Sequence, residues 1–133
     1  MVLINILWLP GFVFYPFNII AGILLALSGL ALIIFAIAAL RSAKTTPNPF
    51  KPENATNLVT QGIYARSRNP IYLGLLLLLI ALSAYLINPL TYFGPLFFVL
   101  YMNRFQICPE EQVLEKLFGS AFTDYCRRVG RWI

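Results

Sequence analysis

Long apolar runs alternate with short polar segments along the chain. An uninterrupted apolar stretch extends from Asn18 to Leu40, and about 20 apolar residues are enough for a helix to cross the hydrocarbon core of a bilayer. Two further apolar runs, residues 70–87 and 90–107, are separated only by the turn-forming pair Asn88-Pro89. The pattern therefore predicts membrane helices over 18–40, 70–87 and 90–107, and the last two form a helical hairpin.

The first apolar run, residues 2–15, is shorter and contains Pro10 and Gly11, and Pro16 follows it. We predict a separate short membrane helix here, with a re-entrant or interfacial segment as the alternative. A signal peptide is disfavoured because no basic residue precedes the apolar run. The chain then has about four transmembrane helices.

The last part of the chain, residues 109–133, changes to an amphipathic pattern. Apolar residues recur at helical spacing on both sides of Gly119, and the arginines lie largely off that stripe. We expect helices that begin at Pro109 and lie in the interface, with their basic side toward anionic lipid head groups. Within the preceding run, Gly94-Pro95 predicts a kink. The fold class is therefore an all-α integral membrane protein in which residues 1–133 form one domain.

Composition and charge agree with a membrane protein. Of the 133 residues 59% are hydrophobic and only 11% are charged, against roughly 25% charged in a soluble domain. The ten basic residues fall into two blocks, Arg41 to Arg68 and Arg104 to Arg131. The positive-inside rule places both blocks, including loop 41–69, on the cytoplasmic side and the Asn88 turn outside. Nucleic-acid binding is not expected, and the absence of histidine excludes a His-ligated metal.

The first polar cluster is GIYARSRNPIYLG, residues 62–74. Asn69 is a good N-cap and Pro70 suits the first helical position, so a helix begins there with its positive dipole end at the membrane surface. Such an end can hold an anion. The alternative is that Asn69-Pro70 only starts the helix, while Arg66 and Arg68 reach the head groups.

The second polar cluster is NRFQICPEEQVLEKLFG, residues 103–119. Pro109 again suits a first helical position, with Glu110 and Glu111 in the first turn, where acidic side chains stabilise the helix dipole. Two adjacent glutamates beside an anionic lipid surface also suggest a bound cation. Both explanations stand on the sequence alone.

Together the two clusters resemble the signature of the membrane-embedded methyltransferases that include isoprenylcysteine carboxyl methyltransferase and phosphatidylethanolamine N-methyltransferase. The similarity covers residues 58–74 and 109–133, with an apolar hairpin of fitting length between them. It implies an S-adenosylmethionine site between the hairpin and the C-terminal helices, and it matches residues 127–132 to a terminal element over that site. The resemblance assigns to the cofactor site Tyr64, Arg68, Asn69, Tyr72, Leu73, Gly74, Tyr101, Glu110 and Glu111. It assigns to catalysis or the acceptor side Asn103, Arg104 and Glu111.

The resemblance does not define the methyl acceptor. A neutral amine or hydroxyl needs a base, and the usual base, histidine, is absent. We therefore expect a small or lipid-tailed carboxylate or thiolate, held by Arg104 or Arg68 and arriving from the lipid phase. The alternatives are a phospholipid amine methyltransferase, a nicotinamide-dependent membrane reductase, and a non-enzymatic membrane protein with this fold. The expected partners are membrane lipids and the acceptor, without metal; the oligomeric state is not predicted.

Overall fold

The computed structural model describes the backbone of residues 2–45 and 52–133 and the side chains of residues 16–45 and 53–133. Over these ranges the secondary structure is helical and contains no strand. The predicted all-α class is therefore confirmed. One part of the predicted loop 41–69, residues 46–51, lies outside the described residues.

The N-terminal half of the fold is one long helix, α1, from Val2 to Ser42. The prediction of two helices over 2–15 and 18–40 is corrected by this continuity. A proline removes one hydrogen bond of the ladder, and long apolar helices tolerate that loss because neighbouring turns adjust. Within the described side chains, Pro16–Ser42 is the helix that is long and apolar enough to cross a membrane.

The second helix, α2, runs from Pro70 to Leu86 and packs lengthwise against α1. Its start at Pro70 is the predicted one. The two helices cross at Gly29 and Gly74, where a Cβ on Gly29 would lie 2.7 Å from the Gly74 carbonyl oxygen. Small residues let membrane helices approach this closely. With 17 residues α2 is shorter than the usual span. Because the first two predicted helices form the single helix α1, the predicted number of four spans is not confirmed.

A turn at Ile87 and Asn88 connects α2 to the second arm of the hairpin. Ile87 adopts a left-handed conformation with φ 51°, and the Asn88 side chain accepts a hydrogen bond from the Leu90 backbone N–H at 3.0 Å. A 3₁₀ turn over Pro89–Tyr92 leads into α3, Phe93–Tyr101. The Gly94-Pro95 pair lies in the first turn of α3, where proline causes no break, and the predicted kink stays a prediction.

The helix continues without interruption from α3 through a π-helical segment, Met102–Ile107, into α4, Cys108–Phe118. The prediction that a new helix begins at Pro109 is therefore wrong. Proline has no N–H and its ring clashes with the carbonyl four residues earlier in an α-helix. The wider π turn directly before Pro109 accommodates that defect.

Gly119 ends α4 at the predicted position, with φ 55°, and α5 follows from Ser120 to Arg128. The buried side of α5 completes a small core at the charged end of the bundle, where α1 ends and α2 begins. Its buried members are Ala36, Tyr64, Phe122, Tyr125 and Val129. This core fixes the elements that surround the candidate site.

Candidate functional site

A cavity of about 170 Å³ lies beside this core, between the start of α2 and the start of α4. The cavity wall combines apolar residues such as Leu58, Leu114 and Phe122 with charged ones. Six residues that the sequence proposed for a cofactor site line it, namely Tyr64, Arg68, Asn69, Tyr72, Glu110 and Glu111. The two polar clusters, 38 residues apart at Tyr72 and Glu110, therefore meet in one place.

Glu110 is held by neutral donors. The Tyr72 hydroxyl and the Gln106 amide nitrogen each donate to Glu110 Oε1 at 2.6 Å. In the described part of the chain no lysine or arginine forms an ion pair with Glu110. Burial raises the pKa of its carboxyl above the usual range, although the two hydrogen bonds act in the opposite direction. Glu110 is thus a carboxylate that would gain from a cationic ligand.

Glu111 has the opposite surroundings. Arg68 Nη1 lies 3.0 Å from Glu111 Oε1, and Arg131 approaches Oε1 through Nε at 3.2 Å and Oε2 through Nη2 at 2.6 Å. Its side chain is 18% exposed, so both ion pairs are partly shielded from water. The two arginines neutralise this carboxylate and leave the group of three with a net positive charge.

Arg68 connects this ion-pair group to the cavity. Its Nη1 also lies 2.7 Å from the sulfur of Cys126, while its buried Nε has no hydrogen-bond partner among the described residues. A buried donor without an acceptor is costly, and an anionic ligand in the cavity would satisfy it. The first-turn N–H groups of α2 add further donors, since they have no acceptor within the helix.

The start of α2 differs in one respect from the prediction. The Asn69 side chain makes no capping hydrogen bond; its amide instead donates to the Arg131 carbonyl oxygen at 2.9 Å. The Arg68 N–H donates to the Gly130 carbonyl oxygen at 3.0 Å. The C-terminal segment therefore lies directly against the start of α2.

Five residues proposed from the sequence do not line this cavity. Gly74 lies at the crossing with α1, and Leu73 is half-buried one residue before it. Tyr101 is 49% exposed and stacks near Phe105, with ring centroids 5.0 Å apart. Arg104 is exposed on the π-helical segment, and Asn103 Oδ1 accepts a hydrogen bond from Trp132 Nε1 at 3.0 Å.

Sequence reasoning missed two groups that shape the site. Gln106 lies four residues before Glu110, a spacing that brings side chains together on a helix and could have indicated the contact. The pairing of Arg131 with Glu111 joins residues 20 positions apart, and no local pattern marks it.

Comparison with known proteins agrees with this architecture. The sequence profile of the phospholipid methyltransferase family matches residues 17–121, a range that contains all residues lining the cavity except Phe122 and Tyr125. An uncharacterized protein of Haemophilus influenzae is 43% identical over 63 residues, which cover 47% of this chain and all of that protein. No solved structure matches. Since the profile extends over well more than half of the chain, the protein belongs to the phospholipid methyltransferase family.

Proposed function

We propose that this protein is a membrane methyltransferase that uses S-adenosylmethionine, bound at the cytoplasmic face in the cavity between α2 and α4. One observation carries the proposal. Among the residues that the structure describes, the cavity presents a carboxylate without a cationic partner, Glu110, and a guanidinium with an open donor, Arg68. Family membership supports methyl transfer as the reaction.

The residues present fit the cofactor. Its amino-acid portion carries an ammonium and a carboxylate on one carbon atom. Glu110 would hold the ammonium, while Arg68 Nε and the first-turn N–H groups of α2 would hold the carboxylate. Tyr64 and Phe122, both buried on the cavity wall, offer aromatic surface for the adenine.

When bound, S-adenosylmethionine supplies a methyl group on a positively charged sulfur, ready for in-line displacement. The chain's own residues orient the reactants and exclude water. The apolar part of the wall, with Leu58 and Leu114, serves the second task. A reaction of this kind needs no metal.

The first candidate acceptor is a carboxylate or thiolate with a lipid tail or of small size. It arrives ionised, so it needs no base in a chain without histidine. Arg104, exposed at the membrane end of the π-helical segment, is suited to hold such an anion.

The second candidate acceptor is the amine of a phospholipid, which the family match favours. The amine of a phospholipid is protonated near neutral pH, so it must lose a proton before it attacks. In the described part of the cavity wall, Glu110 is the carboxylate without a cationic partner, so it would have to accept that proton. An amine acceptor would therefore compete with the ammonium group of the cofactor for Glu110.

The experiment begins with calorimetric titration of the detergent-solubilised protein with S-adenosylmethionine and with a reduced nicotinamide. Binding of the first alone supports the proposal. Binding of the nicotinamide alone would identify a reductase. Binding of neither compound would indicate a non-enzymatic role.

The acceptor class is read in a second step. Membranes are incubated with protein and cofactor labelled in its methyl group, with Glu110→Gln as the control of weakened cofactor binding. A base-labile methyl ester or a thioether identifies an anionic acceptor. N-methylated head groups as the sole product would refute the first acceptor candidate and establish the second.

A further inference from the structure

The last five residues, 129–133, form a strap that contacts three separate parts of the site. Its Gly130 and Arg131 carbonyl oxygens accept hydrogen bonds from the start of α2 at 3.0 and 2.9 Å. Trp132 donates to Asn103 on the π-helical segment, and its ring packs against Phe98 with centroids 6.5 Å apart. The strap lies outside the segment that the family profile matches.

Arg131 is the charged contact of the strap, and its geometry is two-pronged. It takes both carboxylate oxygens of Glu111, at 3.2 and 2.6 Å, while Arg68 reaches one of them, at 3.0 Å. A guanidinium that faces a carboxylate through two nitrogens fixes the plane of that carboxylate. Arg131 therefore limits how far Glu111 can engage Arg68.

The consequence concerns the charge that Arg68 presents to the cavity. Without Arg131, Glu111 would be free to turn and to bind Arg68 through both oxygens. The pair would then be neutral, and Arg68 would lose much of its attraction for an anion. With Arg131 in place, the three side chains keep a net charge of one positive unit beside the start of α2.

We propose that Arg131 is a positioning residue that acts through Glu111 to keep Arg68 available for the carboxylate of the cofactor. This inference rests on the proposed function, since it assigns the residue that prepares one end of the same site. Arg131 itself is not placed on the wall of the cavity; it contacts Glu111, which is.

The test compares two ligands and four variants in detergent solution. S-adenosylhomocysteine carries the amino-acid carboxylate, whereas 5′-methylthioadenosine shares the nucleoside and lacks that carboxylate. Arg131→Gln should weaken S-adenosylhomocysteine binding about fivefold or more, as expected for coupled neighbours, and leave 5′-methylthioadenosine binding within about twofold. Arg131→Lys should recover part of the loss because it restores the charge without the two-pronged contact.

The double variant Glu111→Gln/Arg131→Gln separates positioning from a structural role. Removal of the competing carboxylate frees Arg68 again, so S-adenosylhomocysteine affinity should return to within about threefold of the wild type. Arg128→Gln is the matched control, since Arg128 is exposed on α5, where its Nε donates to the Asp124 carbonyl oxygen at 3.4 Å.

Equal loss of both ligands in Arg131→Gln, or a double variant that binds as weakly as the single one, would overturn the inference and leave the strap a structural role. Wild-type protein that binds neither ligand would instead overturn the proposed function. The two failures are therefore distinguishable.

Discussion

Replacing Glu110 by glutamine is the most direct test of whether the cavity binds a ligand through the ligand's positive charge. Glutamine keeps the size of the side chain and an oxygen that can accept from Tyr72 and Gln106, which both donate at 2.6 Å. The substitution therefore removes the charge and leaves the hydrogen-bonded neighbourhood largely in place. Glu111→Gln is the matched control one residue away.

The size of the effect follows from the surroundings of Glu110. Two opposite charges 4 Å apart attract by about 4 kcal/mol at the effective dielectric constant of a protein surface. Glu110 is only partly buried, so water screens part of this, and the range of about 1.5 to 3 kcal/mol for a hydrogen bond to a charged group is the better guide. Glu110→Gln should therefore raise the dissociation constant of S-adenosylmethionine about 10- to 150-fold.

Glu111→Gln should behave differently, because its charge already serves two arginines. We expect a lower melting temperature, since two guanidinium groups lose a shared acceptor, and a cofactor affinity that is unchanged or tighter. Isothermal titration calorimetry gives the affinities, and thermal unfolding in the same detergent gives the stabilities. Loss of affinity in Glu111→Gln but not in Glu110→Gln would refute the assignment.

Four further outcomes are expected. Cofactor affinity should fall as the pH drops through the raised pKa of Glu110, and calorimetry should find this fall absent in Glu110→Gln. In the ligand-free protein the pH dependence has the opposite sign. A carboxyl whose pKa is raised in the folded state stabilises the fold below its unfolded pKa of about 4.3. The melting temperature of the wild type relative to that of Glu110→Gln should therefore decline as the pH rises from there. Gly29→Ala or Gly74→Ala should lower the free energy of unfolding by about 1 to 3 kcal/mol. Gly94→Ala should not, because a Cβ there meets nothing within 4 Å. Equal melting temperatures for all three variants would contradict the close crossing of α1 and α2. A cysteine at Asn88 should react with an impermeant maleimide only from outside, and labelling solely from the cytoplasmic side would reverse the topology.

Features that depend on local chemistry could be predicted from the sequence. Pro70 sets the start of α2, the Asn88-Pro89 pair sets the hairpin turn, and Gly119 supplies the positive φ that ends α4. Proline and glycine act here through their own backbone, and Asn88 acts through a side-chain hydrogen bond to a residue two positions away. These local effects depend little on the surrounding fold.

Features that depend on helix context could not be predicted in the same way. Pro16 and Pro109 look like boundaries, but the first lies inside α1 and the second follows a π turn that absorbs it. The difference between Glu110 and Glu111 is also largely invisible in the sequence. They are neighbours of the same type, and helical spacing indicates only the contact of Gln106 with Glu110. Tyr72 reaches Glu110, and the two arginines reach Glu111, from segments distant in the sequence.

Because the helix from Phe93 to Phe118 is unbroken, Glu110 moves together with the far end of the hairpin. Glu110 lies 17 residues beyond Phe93, roughly 25 Å along the axis. A rotation of about 10° around the Phe93 end would move Glu110 by about 4 Å, more than the 2.6 Å contact that joins it to Tyr72 on α2. Helices adjust their tilt to the thickness of the membrane. A change in the tilt of this helix would therefore alter how well the two halves of the cavity fit together.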